Sequence, residues 1–274
     1  MPGSSDDRFR PRSPIRSAIY RALWAVSGAL DRTSRACLYL SIGLLRRDEL
    51  REIGRQRAAL FCAPDEHMDA GLEPWEERIY LNEMHAGDRV LVVGCGGGRE
   101  LLALGARGYQ VTGVDLVPAL IERSRQHLAR RGLTATLIAS PVETAALPDT
   151  YNVVVFSAFV YGYLPGAASR RAVLARLKAH MTPGARLVAS YMEGGRASRF
   201  GLWLIRAAGW MARSDWLAEP EDTFAPGPLR TRLPFYERRM SPEAVCRELA
   251  EAGFDLIRDE AVASWRCAVA EVRA

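Results

Sequence analysis

Two segments of this sequence carry the residues best suited to holding a nucleoside. The segment Val90–Glu100 reads V-L-V-V-G-C-G-G-G-R-E, so that four apolar residues lead directly into glycines. The apolar run predicts a strand buried on both faces, and Gly94 and Gly96 allow a tight turn that brings the backbone close to a ligand. A helix after Gly98 would direct its free N–H groups at that ligand. A second buried strand then ends at Asp115, whose carboxylate is placed to accept hydrogen bonds from two ribose hydroxyls.

The glycine spacing indicates which kind of nucleoside is bound. A dinucleotide fingerprint, G-x-G-x-x-G, would need its third glycine at the position of Arg99, whereas here it comes one residue earlier, at Gly98. This spacing argues against a pyrophosphate lying on the helix. The G-x-G-x-G span, paired with Asp115, resembles motif I and the acidic loop of class I S-adenosylmethionine-dependent methyltransferases.

The resemblance implies S-adenosyl-L-methionine as the cofactor and assigns residues to it. The implied cofactor contacts are Gly94, Cys95, Gly96, Gly98, Asp115, Leu116, Val142 and Ser157. The family usually has an acidic residue two positions before the first glycine. This chain has Val92 there, so backbone carbonyls near Gly94 would meet the cofactor amine instead. The family's adenine-contacting Asp is also missing after strand three, where Ser140 or the backbone of Val142 could substitute.

Candidate catalytic residues are few, as expected for this chemistry. Methyl transfer from a sulfonium is an in-line displacement, so catalysis depends mainly on positioning and desolvation. Tyr163 stands where the family commonly has a histidine pair, and it could donate a hydrogen bond, although at its ordinary pKa of about 10 it is a poor base. A packing aromatic is the alternative for Tyr163. His67 is the better base candidate among four histidines, with an ordinary surface position as its alternative, and His127 and His180 are expected on outer helices.

Composition limits the class of protein and its partners. The chain has 274 residues, 49% of them hydrophobic, and a net charge of +5 without a basic run interleaved with aromatics, so no nucleic-acid partner is expected. Its five cysteines have no C-x-x-C spacing, which argues against a disulfide framework or a zinc site and favours a reducing cytoplasm. No signal peptide is visible. The apolar stretches 18–30 and 36–45 are shorter than the about 20 residues that span a bilayer, so we expect a soluble or peripheral protein and no metal site.

The chain divides into a tail, a helical segment and a larger domain. Residues 1–16 are charged and proline-containing and are expected to be a disordered basic tail; residues 17–74 show helical periodicity. Three interpretations of these helices remain open: a cap over the site, which we favour, an interfacial membrane helix, or a dimer surface. Residues 75–274 form the predicted methyltransferase domain, with a helical lid insertion at 193–240.

Strand and helix patterns alternate regularly through the domain. Strands are predicted at 89–93, 109–114, 134–139, 151–157, 185–191, 255–260 and 265–272, with helices at about 98–107, 118–131 and 167–181. Such alternation predicts an α/β fold with a doubly wound, mostly parallel sheet. The family resemblance implies the seven-stranded order 3-2-1-4-5-7-6, with the last strand antiparallel and an N-terminal helical extension.

The insertion is expected to help bind the methyl acceptor. Phe200, Trp203, Ala207 and Trp210 share one helical face, so we expect Trp203 or Trp210 in the wall of an acceptor pocket, together with Tyr161. The extra elements are rich in Trp, Phe and Leu, which favours O-methylation of a small apolar or aromatic acceptor of the natural-product or lipid-like kind. N-methylation of a small molecule or peptide, a non-methylating cofactor-binding protein, and a membrane-surface protein remain alternatives. The sequence leaves monomer and homodimer open.

Overall fold

The structure, a computed structural model, describes residues 13–60, 68, 70–194, 198–225 and 234–273. Its helices are α1 (Pro14–Gly43), α2 (Arg47–Leu60), α3 (Pro74–Tyr80), α4 (Arg99–Gly105), α5 (Pro118–Arg130), α6 (Val160–Tyr163), α7 (Ala167–Lys178), α8 (Arg199–Ala212) and α9 (Pro242–Glu251), with a 3-10 turn at Leu81–Glu83. Its strands are β1 (Arg89–Val93), β2 (Gln110–Asp115), β3 (Thr136–Ala139), β4 (Tyr151–Phe156), β5 (Met181–Met192), β6 (Asp222–Ala225), β7 (Phe235–Arg238), β8 (Phe254–Val262) and β9 (Trp265–Val272).

Seven of these strands form one sheet in the order β3-β2-β1-β4-β5-β9-β8. The five strands β1 to β5 are parallel, and β9 pairs antiparallel with both β5 and β8. Because β6 and β7 form a separate hairpin, β8 and β9 are the sixth and seventh strands of the main sheet. The predicted fold class and strand order are therefore confirmed.

The central strands are apolar along their whole length because helices cover both faces of the sheet. Val90, Leu91, Val92 and Val93 of β1 are all buried, and alternate residues contribute to two separate hydrophobic cores. β1 lies between β2 and β4, so its carboxyl end is at the centre of the sheet edge where parallel α/β folds bind ligands. The sheet thereby places Gly94 and Asp115, which follow β1 and end β2, side by side.

Several predicted boundaries change. Helix α1 begins at Pro14, a favourable first helical residue, which corrects the tail boundary at residue 16, while residues 1–12 lie outside the described residues. Strand β5 begins four residues earlier than expected, because Met181 already pairs with Tyr151. The insertion predicted to be helical at 193–240 also contains a strand, β6, whose partner is β7.

The insertion between β5 and α9 is a helix followed by a hairpin. Helix α8 is capped by Ser198, whose hydroxyl accepts a hydrogen bond from the Gly201 backbone. Among the helices that the structure describes, none is long and apolar enough to cross a membrane.

Candidate functional site

The turn after β1 requires glycine for two separate reasons. Gly94 has a φ of +79°, and a Cβ there would overlap the side chain of Val160. Gly98 caps α4 with a φ of +94°, and a Cβ there would overlap the Ser124 side chain. The Gly94 amide donates to the Val114 carbonyl at 2.7 Å, which fixes the turn against the end of β2. The turn is therefore fixed against β2 by its backbone, and its glycines leave room for the neighbouring side chains of Val160 and Ser124.

Asp115 is held in place by two backbone amides. The Gly96 N–H donates to its Oδ2 at 2.9 Å, and the Val117 N–H donates to its Oδ1 at 2.8 Å. Each carboxylate oxygen keeps a further lone pair, so the side chain can accept two more hydrogen bonds. Burial raises the pKa of Asp115 from its ordinary value, against the two amides that lower it.

A cavity of about 470 Å³ opens above Gly94 and Asp115. Its floor and sides come from the ends of β1 and β2 and from the loop 140–143 after β3. Its roof comes from α2 and the β6–β7 hairpin. Most of its lining is aliphatic or aromatic, as in small-molecule sites; the roof residues are Leu50, Ile53, Gly54, Arg57, Ala58, Phe224 and Tyr236.

The roof is tied to the domain beneath it by charged groups. Arg51 of α2 donates to Glu143 at 2.6 Å, which joins the roof to the loop after β3. In the hairpin, Arg238 is buried and lies 3.7 Å from Glu248 of α9, and Glu219, just before the hairpin, lies 3.6 Å from Arg170 of α7. These ion pairs hold α2 and the hairpin over the cavity.

The segment after β4 bends sharply and enters the cavity. Ala158 and Phe159 both have positive φ values, +34° and +66°, an uncommon and strained conformation for residues with a Cβ. The Phe159 amide donates to Ser190 Oγ at 3.0 Å, which helps to hold the bend. As a result, Val160 contacts the glycine turn and Tyr163 lines the cavity.

Tyr163 is suited to donate a proton in a hydrogen bond and not to accept one as a base. Burial, and next to it the charge of Glu237, raise the pKa of Tyr163 to about 12. The phenol is therefore neutral at physiological pH. Arg57 also lines the cavity, and burial lowers the pKa of its guanidinium from the ordinary value while the group stays cationic.

Beneath the glycine turn lies a buried charged network. Arg99 donates to both carboxylate oxygens of Glu76, at 2.6 and 2.5 Å, and to Glu100 at 3.0 Å. Ser157, at the end of β4, donates to the same Glu100 oxygen. The network thereby joins α3, the start of α4 and the end of β4 under the cavity floor.

Comparisons with known proteins agree with this geometry. A family model described as "Methyltransferase domain" matches residues 90–184. An S-adenosylmethionine-dependent methyltransferase from Methanosarcina mazei superposes with a TM-score of 0.57, at 19% identity, over 74% of this chain and 99% of that one. The glycopeptide N-methyltransferase MtfA bound to S-adenosyl-L-methionine superposes with a TM-score of 0.54, at 21% identity, over 73% and 93%. Residues 90–184 thus match a methyltransferase domain, and the chain shares the fold of these solved methyltransferases.

Two curated relatives are similar to part of this chain. The ubiquinone biosynthesis O-methyltransferase of Vibrio cholerae is 44% identical over 70 residues, which are 25% of this chain and 29% of the relative. Aklanonic acid methyltransferase DauC of a Streptomyces species is 31% identical over 107 residues, 37% of this chain and 48% of the relative. The chain thus matches less than a third of the first relative and about half of the second.

The fold brings together five of the predicted site residues in the cavity wall. These are Gly94, Asp115, Leu116, Val142 and Tyr163. Two other predicted cofactor residues, Cys95 and Ser157, are buried and do not line the cavity. Cys95 is buried against Gly113, and burial raises the pKa of its thiol, which suits packing and not nucleophilic attack.

Three residues predicted to contact the acceptor lie elsewhere, which corrects their assignment. Tyr161 is fully buried below the cavity, because its hydroxyl donates to Glu248 at 2.7 Å. Trp203 and Trp210 point to solvent, 60% and 83% exposed, because α8 packs through its opposite face.

The histidines also differ from expectation. His67 lies outside the described residues. His127, expected on an outer surface, is buried, and its Nδ1 lies 3.1 Å from the Gly97 carbonyl oxygen under the glycine turn. Among the described residues no cluster of His, Cys, Asp and Glu could hold a metal ion.

Sequence reasoning missed the residues that form the roof and the floor network. Arg51, Arg57 and Tyr236 come from segments distant in sequence from the glycine motif, so no local pattern connects them to it. One signal was available for the floor: Arg99 and Glu100 fall on the apolar side of a short helix, where charged residues need buried partners.

Proposed function

We propose that this protein is an S-adenosylmethionine-dependent methyltransferase that methylates an oxygen atom of a small, apolar or aromatic acceptor. The observation that supports it most is the position of Asp115 at the floor of a mainly apolar cavity. The cavity has room for ligand atoms beside the glycine turn, and its mainly apolar roof would keep water away from a bound acceptor. Water exclusion favours displacement at a sulfonium, because it leaves the nucleophile poorly solvated.

The residues of the floor fit the cofactor. Asp115 would accept hydrogen bonds from the two ribose hydroxyls, since each of its oxygens has a lone pair beyond those used by Gly96 and Val117. The missing Cβ at Gly94 leaves the turn close to the ligand, and Val142 and Leu116 supply apolar walls for the adenine. S-adenosylmethionine supplies a methyl group on a positively charged sulfur.

The polar groups of the upper cavity favour an acidic oxygen on the acceptor. Arg57 is a cation set in a wall that is mostly aliphatic. Such a cation stabilises a phenolate or carboxylate more than a neutral amine, because the interaction is stronger at low dielectric. Tyr163, whose pKa is about 12, would donate a hydrogen bond that orients the same oxygen.

N-methylation is the second candidate. The structural similarity to the N-methyltransferase MtfA supports it. At 21% identity, that similarity concerns the fold alone. The ubiquinone biosynthesis O-methyltransferase matches this chain at a higher identity, 44%, although over only 70 residues.

Calorimetric titration with S-adenosylmethionine tests the cofactor assignment. We expect micromolar binding that Asp115→Asn weakens at least about tenfold, or ~1.4 kcal/mol, because the ribose loses a charged acceptor. Asp149→Asn is the matched control, since Asp149 is exposed and precedes β4 at the opposite edge of the sheet. Equal affinities for the two variants, or NAD binding without a response to S-adenosylmethionine, would refute the assignment.

Release of S-adenosylhomocysteine from a panel of matched phenols, carboxylic acids and amines tests the acceptor. We expect turnover of apolar phenols or acids, with a KM that rises in Arg57→Gln while cofactor affinity stays unchanged. Turnover restricted to amines would contradict the proposed acceptor class and leave the cofactor assignment standing.

A further inference from the structure

Helix α1 is long and buries almost nothing. Its 30 residues extend over about 45 Å, yet the structure buries only Ile42 and Gly43 among them. A helix in water usually owes its stability to packing of an apolar face. The first 28 residues of α1 therefore present a face that requires something to cover it.

That face is an apolar stripe along the helix. Ile15, Ile19, Leu23, Val26 and Leu30 are each more than half exposed, and their spacing of four, four, three and four residues places them on one side. Arginines 21, 32 and 35 occupy the opposite side, and Asp31 is the single acidic residue of α1.

Helix α8 presents a second exposed apolar face. Phe200, Trp203, Trp210 and Met211 are between 60% and 83% exposed, and all project from one side of the helix. Arginines 199, 206 and 213 recur every seventh residue beside them. The segment 199–213 contains no acidic residue.

The two helices are packed together, so their exposed faces belong to one body. A Cβ on Gly43 of α1 would overlap the Ile205 carbonyl of α8, and a Cβ on Gly201 would overlap the Tyr39 ring. Glycines at these crossings allow a close approach of the two backbones. Beside the contact runs a surface groove lined by Trp210 and by Arg47, Arg206 and Arg213.

We propose that α1 and α8 dock on the surface of an anionic phospholipid bilayer, lying in its interface without crossing it. Arg16 beside the stripe of α1 and the three arginines beside the aromatic face of α8 lie next to the exposed apolar side chains with no acidic residue among them, which complements an anionic surface. Exposed tryptophans flanked by arginines suit the headgroup boundary, where one end of the side chain is apolar and the other is wet.

The charges argue against a second copy as the partner on α1. Coiled-coil pairs gain stability and register from opposite charges beside the apolar stripe. Beside this stripe Arg16 is the one charged residue, and Asp31 is already paired with Arg35, so a second copy would find no opposite charge to fix its register. Docking would also help the proposed function by bringing the cavity near acceptors dissolved in the membrane. This one consequence rests on the proposed function. Ile42 at the end of α1 lines the cavity, so an apolar acceptor dissolved in lipid would enter close to the docked face.

Sedimentation of the full chain with vesicles tests the proposal. We expect binding to vesicles that mix phosphatidylcholine with phosphatidylglycerol, weaker binding to phosphatidylcholine alone, and weakening by salt. Tryptophan fluorescence should be quenched by brominated lipid in the bound state. Leu23→Glu and Trp210→Glu should each reduce the partition coefficient at least about tenfold, because each places a charge on the docked face.

The matched control is Ile257→Glu, which changes an exposed apolar residue of β8 outside the proposed face and should bind vesicles as the unchanged chain does. Absence of vesicle binding, or equal loss in the control, would overturn the proposal. So would a stable dimer in ultracentrifugation that Leu23→Glu dissociates, with no vesicle binding. Calorimetry with S-adenosylmethionine separates the two proposals, since both docking variants should keep cofactor affinity, and failure of that binding alone rejects only the proposed function.

Discussion

Replacing Arg99 by leucine tests whether the charged network beneath the glycine turn stabilises the fold. Arg99 is buried and makes three hydrogen bonds to the carboxylates of Glu76 and Glu100, which are themselves only 1% and 4% exposed. Removing one partner of a buried ion pair typically costs about 3–5 kcal/mol, because it leaves an uncompensated charge. We expect Arg99→Leu to lower the free energy of unfolding by about that amount near neutral pH.

The same two helices supply a matched control. Arg107 of the turn after α4 pairs with Glu77 of α3 at 2.5 Å, but both side chains are more than a third exposed. Exposed pairs contribute less than about 1 kcal/mol, so Arg107→Leu should have little effect. Urea unfolding followed by circular dichroism measures both variants. Adding Glu76→Leu to Arg99→Leu should restore part of the loss, because one of the two orphaned carboxylates is then gone.

The pH dependence provides a stricter test. Burial already raises the pKa of Glu76, although Arg99 lowers it, so removing Arg99 should raise that pKa further. A carboxyl whose pKa is raised by folding contributes its full stability below its unfolded pKa, about 4.3, and loses it as pH rises through the folded pKa. The stability lost in Arg99→Leu should therefore grow as the pH rises above about 4.3, toward the raised pKa of Glu76 in the folded variant. A loss of unfolding free energy no larger than that of Arg107→Leu would refute the reasoning. So would a loss that becomes smaller as the pH rises.

Three further predictions concern the cavity. Gly94→Ala should abolish measurable cofactor binding and lower stability by about 1–2 kcal/mol, because its φ of +79° disfavours a Cβ; adding Val160→Ala should recover some stability, and normal cofactor affinity in Gly94→Ala would contradict the assignment. Tyr163→Phe should lower turnover about 10- to 100-fold while the cofactor dissociation constant stays unchanged, since the hydroxyl is expected to orient the acceptor; parallel loss of both quantities would argue for a role in folding. Cofactor affinity should fall as pH drops through the raised pKa of Asp115, because only the ionised carboxylate accepts both hydroxyl hydrogens; Asp115→Asn should show a flat profile, and an equal pH response in that variant would exclude Asp115 as the titrating group.

The parts of the molecule that could be predicted are those that local sequence specifies. The four apolar residues of β1, the glycines that follow and the aspartate that ends β2 lie within 26 residues, and their pattern predicts both strands and their place at the sheet edge. Order in the sheet followed from the family resemblance, because periodicity alone does not say which strands are neighbours.

The wrong predictions concern residues whose positions depend on contacts with distant parts of the chain. Tyr161 and Tyr163 are two residues apart, yet Glu248, 87 residues further on, draws the first hydroxyl into the core. On α8 two faces are apolar, and the face with small residues is buried, because the crossing at Gly43 leaves no room for an indole. The aromatic face was therefore expected inside and lies outside.

The roof of the cavity has an evolutionary consequence. The family match covers residues 90–184, which contain the floor, whereas α2 ends at Leu60 and the hairpin begins at Asp222. Under the proposed function, the residues that would hold the cofactor and most of those that would cover the acceptor are thus encoded in separate stretches of the gene, with Tyr163 as an exception. Changes at Ile53 or Tyr236 can remodel the upper chamber while Gly94 and Asp115 stay untouched. A lineage built on this plan can exchange acceptors by exchanging roofs, and inherit its methyl donor unaltered.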